Sequence, residues 1–318
     1  MAPDQKFCIN CGRSLEGQMG MAAPVPEKKK SGVGAFFLSL LKCLCYFAVF
    51  YGAMTGVQAV YMAVIMVMVP GMGMEQGGYL GYSQQFWDMF SKNICWVTIA
   101  SYALAFLVYL IFFACRKKKL SEETGIHRVH FGALPAAFVF GIALQVVTVF
   151  AISFFSALVP AIAENVAGND EMNNAMFASS SQLSQIVMMA VTTPIIEELV
   201  FRGLIYTRMK KAMPKAAAMI LSSVVFGAVH SFGVQLVYAA ILGFVLVSLY
   251  EKYNSLWVPI LLHAGFNATN FLYEFVDMES PLMQLTVFTV ALGFVLVFVA
   301  YFFISKPIYA EEKSDEAL

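Results

Sequence analysis

Long apolar runs broken by short polar ones set the pattern of this chain. After a polar leader over residues 1–31, apolar runs cover about Val33–Val69, Ile94–Ala114, Leu134–Val159, Leu183–Tyr206, Ala216–His230, Leu236–Tyr250, Trp257–Phe275 and Leu285–Ile304. A helix that crosses a bilayer needs roughly 20 consecutive apolar residues. The pattern predicts an all-α fold, a polytopic membrane bundle of about eight transmembrane helices. At about 1.5 Å per residue the first run is roughly 55 Å long, too long for one straight span and marginal for two. The expected organisation is a leader (1–31), N-terminal spans (32–182), a core (183–275), and a last span with an acidic tail (276–318).

Composition agrees with the pattern. Of 318 residues 60% are hydrophobic and only 13% charged, with mean hydropathy +0.73. That places the chain in the membrane class, with lipid as its main surrounding. The formal net charge is zero, so nothing points to a nucleic-acid partner. Where the charges lie is more informative. With the first run counted as one span, Lys28–Lys30, Arg116–Lys119, Arg208–Lys211, Lys252 and Lys306 all fall on one side. The other side has Lys92 alone, among Glu75, Asp88, Glu164, Asp170, Glu171, Glu274, Asp277 and Glu279. The positive-inside rule then predicts a multi-pass protein of the cell membrane with both termini cytoplasmic. No apolar segment opens the leader, so no cleavable signal peptide is expected.

The leader carries Cys8-x-x-Cys11-Gly12, which is similar to one knuckle of a zinc ribbon. A structural zinc site takes four ligands, and no second pair follows. Cys8 and Cys11 are half a site, either a metal-free remnant or a zinc site completed by a second chain, which would make an oligomer. The other cysteines show no disulfide-like pattern; those in or beside apolar runs read as small buried hydrophobes.

The fourth run contains Pro194-Ile-Ile-Glu197-Glu198-Leu-Val-Phe-Arg202-Gly203. Charges at bilayer depth are costly and face a protein interior or a water-filled cavity. Glu198 and Arg202 are four apart and meet on one helix face. Glu197 lies about 100° further round and has no counter-ion on its own helix. Later runs add Phe226 and His230, four apart, and His263 and Asn267, four apart. These residue types suit peptide-bond hydrolysis. A glutamate serves as base for water, and His and Asn serve as donors to an oxyanion. Two His and one Glu also match a zinc-hydrolase ligand set, although His-Glu-x-x-His is absent. Depth poses a difficulty. If the fifth span starts at Pro214, His230 lies roughly 24 Å along it, deeper than Glu197 on the fourth. Tilted helices or a later start of the fifth would reconcile the two.

Glu-Glu-x-x-x-Arg at 197–202, Phe-x-x-x-His at 226–230 and His-x-x-x-Asn at 263–267 occur in order on successive apolar segments. Together they resemble the CPBP family of intramembrane proteases, also called the ABI or type II CAAX prenyl protease family, over about residues 180–275. The resemblance implies that Glu197 activates water and that His230 orients water or assists the base. It implies that His263 and Asn267 form the oxyanion site, with Glu198, Arg202 and Phe226 in support. It also implies a membrane-embedded or lipidated protein or peptide substrate. Family members include metalloproteases and metal-free glutamate enzymes. The metal-free version, needing no cofactor, is the reading favoured here, with zinc at the site the alternative. Two other classes compete: a proton-coupled transporter, and a catalytically silent scaffold or immunity protein of the same fold.

Overall fold

The computed structural model describes residues 33–68, 84–230, 233–273 and 280–304. Cys8 and Cys11 lie outside the described residues. The protein is a polytopic all-α membrane bundle, with no strand among the described residues. Its helices are α1 (Val33–Met68), α2 (Gln84–Cys115), α3 (Leu120–Thr124), α4 (Ala133–Leu158), α5 (Pro160–Phe177), α6 (Gln182–Ile186), α7 (Thr193–Glu198), α8 (Thr207–Ala212), α9 (Lys215–Ala228), α10 (Val234–Tyr253), α11 (Trp257–Leu272) and α12 (Pro281–Ile304). Between α6 and α7, and again between α7 and α8, the chain continues as π-helix over Val187–Thr192 and Leu199–Tyr206. Residues 182–212 thus form one continuous, twice-distorted helix.

Six of the eight predicted runs become helices long and apolar enough to cross a bilayer: α1, α2, α4, the composite helix, α10 and α12. The fifth and seventh runs fall short. α9 has 14 residues and α11 has 16, about 21 and 24 Å. These short helices bring the two histidine motifs to the site, so the roughly eight expected spans comprise six long helices and two short ones. The first run is a single helix of 36 residues, and α2 begins about ten residues earlier than expected. Residues 160–177, between the third and fourth apolar runs, form α5.

The composite helix is the centre of the bundle. Every residue from Leu199 to Tyr206 is buried. α1 and α2 pack on one flank, the α9–α10 hairpin on another, and α11 on a third. α4 and α11 approach closely because glycines face the contact. A Cβ on Gly141 would lie 2.0 Å from the Leu262 carbonyl oxygen, and one on Gly265 would lie 2.1 Å from that of Phe138. Small residues at such crossings let backbones meet where lipid gives helices no hydrophobic drive to associate.

One end of the bundle is closed by ion pairs. Glu251 of α10 holds Lys210 at 2.5 Å and Lys215 at 2.6 Å, tying together the ends of α8, α9 and α10. Glu123 of α3 pairs with Lys118 and Arg208. The Lys118 hydrogen bond, with Arg208 beside it, holds the Glu123 carboxyl below its ordinary value despite partial burial. The loop after α3 fastens over the α10–α11 turn. Leu256 N–H donates to the Gly125 carbonyl at 3.1 Å, and Ser255 Oγ donates to that of His127 at 2.7 Å. Gly125 has φ +72°, and a Cβ there would lie 2.7 Å from the Tyr250 hydroxyl, so the turn requires glycine.

Candidate active site

The depth difficulty disappears once the composite helix is followed to its end. It continues to Ala212, which places Glu197 fifteen residues, or about 22 Å, from that end. His230 is fifteen residues beyond the start of α9 at Lys215, at much the same depth. No late start of α9 is needed.

Glu198 is fully buried and Arg202 nearly so. The predicted pair forms, with Arg202 Nη1 donating to Glu198 Oε1 at 2.6 Å. Arg202 Nη2 donates to the Gly243 carbonyl at 3.2 Å. The guanidinium lies 4.2 Å from the centre of the Phe226 ring, a cation–π contact in a desolvated place. The same ring lies 4.4 Å from the His230 ring and 5.9 Å from that of His263. Phe226 is therefore the hub that the cation and both imidazoles contact, the His230 ring tilted and the His263 ring edge-on.

The histidines are held through Nδ1. His263 Nδ1 lies 3.0 Å from Glu198 Oε1. His230 Nδ1 lies 2.7 Å from the Phe226 carbonyl. A carbonyl only accepts, so His230 Nδ1 carries the proton and its Nε2 presents a lone pair when the ring is neutral. Both Nε2 atoms point to the second glutamate. Glu197 Oε2 is 3.7 Å from His230 Nε2 and 3.9 Å from His263 Nε2. These gaps exceed a hydrogen bond, and Glu197 Oε2 is buried without a hydrogen-bond partner among the described residues.

Asn267 reaches the site by a route set by Pro194. The Thr193 N–H donates to the Met188 carbonyl in π-helical register. The Met189 carbonyl is thereby left without its α-helical donor. Its π-helical donor would be residue 194, a proline with no N–H. Asn267 Nδ2 supplies the missing bond, donating to the Met189 oxygen at 2.8 Å. One amide proton of Asn267 is thus committed to the fourth helix, and the second remains.

Glu197, His230, His263 and Asn267 line one end of a cavity of about 970 Å³. Its other end is roofed by α5. Val166, Asn169, Asp170, Asn173, Asn174 and Phe177 recur at three- and four-residue spacing and face the chamber. Asn165 Oδ1 accepts from the Val234 N–H at 3.1 Å, fastening α5 to the start of α10. Gln145 of α4, Gln185 of α6, Gln235 of α10 and Asn270 of α11 add further amides. None of these was singled out from sequence. The available signal was the Asn-rich stretch 165–174 between two apolar runs.

The four residues expected to do chemistry line one cavity, and Glu198, Arg202 and Phe226 lie packed beside them. Among the described residues, no group of three or more His, Cys, Asp or Glu side chains is arranged to hold a metal ion.

Residues 179–269 match the family described as Rce1-like, "Type II CAAX prenyl endopeptidase Rce1-like". A protein of Bacillus subtilis (strain 168) named "Putative membrane peptidase YdiL" is 29% identical over 108 residues, which is 32% of this chain and 44% of that protein. The match thus spans less than half of that relative. No solved structure matches. The resemblance carried by the three motifs is supported over the segment that builds the site.

Proposed function

We propose that this membrane protein is an intramembrane endopeptidase that hydrolyses peptide bonds with a water activated by Glu197. The observation that carries the reading is the unequal treatment of two neighbouring carboxylates. Glu198 is held through Oε1 by both Arg202 and His263, while Glu197 makes no hydrogen bond through Oε2 among the described residues and lines the chamber. The family match over residues 179–269 supports the reaction class.

In this mechanism Glu197 takes a proton from water held between its Oε2 and His230 Nε2, and the hydroxide formed attacks the scissile carbonyl carbon. His230 orients that water through its Nε2 lone pair, its ring fixed by the Phe226 carbonyl. The carbonyl oxygen, now negative, is met by the uncommitted N–H of Asn267 and by an N–H at His263 Nε2, the ring being oriented by the contact of its Nδ1 with Glu198. Preorganised donors of this kind stabilise the transition state without reorganising during the reaction. Glu197 then returns its proton to the leaving amine. The donor set as arranged does not close around a metal, and no step is routed through one. The lysine and arginine distribution supports a multi-pass orientation in the cell membrane with both termini cytoplasmic.

The test is comparative proteomics of membranes carrying wild-type protein or Glu197→Gln, followed by cleavage of the accumulated proteins by purified wild type with and without chelator. Glu197-dependent cleavage that survives chelation is expected. Loss of cleavage on chelation, restored by zinc, would replace the metal-free mechanism. Undiminished cleavage by Glu197→Gln would remove the protease assignment of this site.

A further inference from the structure

The chamber that leads to Glu197 has a chemistry of its own. Beyond the four site residues its polar lining is dominated by carboxamides from five helices, among them Gln145, Asn173, Gln235 and Asn270. A carboxamide both donates and accepts. A set of them matches the alternating N–H and C=O groups of an extended peptide, which must find partners when it leaves water. One acceptor beside the chamber is left unpaired. Gln145 Nε2 donates to Asn270 Oδ1 at 3.3 Å, and Gln145 Oε1 is left buried without a partner among the described residues.

The charged lining is one-sided. Glu197 and Asp170 line the chamber, and among the described residues no lysine or arginine does. Arg202 is sequestered behind Glu198. A free C-terminal carboxylate brought in here would meet acidic groups and no fixed cation, an unfavourable arrangement in a site of reduced dielectric. The lining also places the entrance. Residues from the middle of α4 to α5, the α9–α10 turn and the far end of α11 contribute, all at the end of the bundle opposite the ion pairs of Glu123 and Glu251.

Resting on the proteolytic reading, we infer that the site takes an internal, extended peptide segment, uncharged or cationic, which enters under α5 from the side opposite the lysine- and arginine-rich loops. It does not take a chain end that terminates in a carboxylate a few residues past the cut.

Purified full-length protein in lipid nanodiscs tests this with two degenerate, internally quenched peptide libraries. One is blocked at both ends by acetyl and amide groups. The other has the same composition and ends in a free carboxylate three residues after the degenerate positions. The blocked library is expected to be cut with kcat/KM about tenfold higher or more, and within it lysine-containing peptides faster than glutamate-containing ones. Asp170→Asn narrows that lysine preference. Gln145→Leu keeps the volume, removes the acceptor and raises KM about five- to tenfold with kcat nearly unchanged. Asn173→Ala, on exposed α5, serves as a second variant should Gln145→Leu fail to fold. Equal or faster cutting of the carboxylate-ended library in a Glu197-dependent way would overturn the inference and leave the protease reading standing. Unchanged KM in both chamber variants would also overturn it. No cleavage of either library by wild type would overturn the protease reading and this inference with it.

Discussion

Two regions meet at the fourth helix and obey opposite rules. Below it lies a sealed floor of Glu198, Arg202, Phe226, His263 and the Gly243 carbonyl. Hydrogen bonds tie these groups together, Glu198 Oε1 to both Arg202 and His263 and Arg202 to the Gly243 carbonyl, and Glu198 is fully buried. Above it lies the chamber of Glu197, His230, Asn267 and the amides under α5, where partners are left open. Glu197 and Glu198 are adjacent in sequence, and the 100° turn between them puts one in each region. A carboxylate held by an arginine and a histidine at once is a structural part. One that is buried but unengaged has no structural reason to be there, since burial without a partner is costly.

The floor should break first and hardest. Arg202→Ala strands Glu198 as an uncompensated buried charge, a change that typically costs about 3–5 kcal/mol. Protein yield and thermal stability should fall together with activity. Full stability in this variant would mean that water reaches the floor. In the chamber, Asn267→Ala should lower kcat by roughly 100- to 1000-fold through loss of an oxyanion donor. It also frees the Met189 carbonyl, so a modest loss of stability should accompany the kinetic effect. A stability loss with kcat unchanged would confine Asn267 to bracing the helix.

Between the two regions, Gly265→Ala should cost about 1–3 kcal/mol, because its Cβ would be driven into the Phe138 carbonyl and push α11 from α4. Activity should drop with it, since α11 holds both His263 and Asn267. The smallest effect is expected at the far end. Glu123 has its pKa lowered chiefly by the Lys118 hydrogen bond. Its contribution to stability is therefore present above the ordinary glutamate value and is lost as pH falls through the lowered one. Glu123→Gln should flatten the acid side of a stability–pH profile and leave the neutral region and the site nearly unchanged.

Much of the floor was legible in the sequence. The Glu198–Arg202 bond follows from four-residue spacing, and the order of the motifs anticipated that His230, His263 and Asn267 meet Glu197. The chamber was much less so. The π-helical stretches change the register of residues 187–206, and no apolar periodicity reports a one-residue insertion of that kind. Pro194 was the available clue, because its missing N–H lets the Met189 carbonyl turn to Asn267. α5 was hidden for a different reason. Its Asn-rich face lines the cavity, and no apolar run marks the segment as a helix. The short α9 and α11 were read as spans because their runs are apolar almost throughout, although neither run reaches about 20 residues.

The central claim is that Glu197 belongs to the chamber and serves chemistry rather than folding. Glu197→Gln keeps the shape and removes the base. Its thermal unfolding and its cleavage of a wild-type substrate should be measured on the same purified sample in nanodiscs. The account predicts an unfolding temperature equal to or above that of wild type with cleavage abolished. A clear loss of thermal stability with cleavage retained would contradict it and return Glu197 to the structural floor.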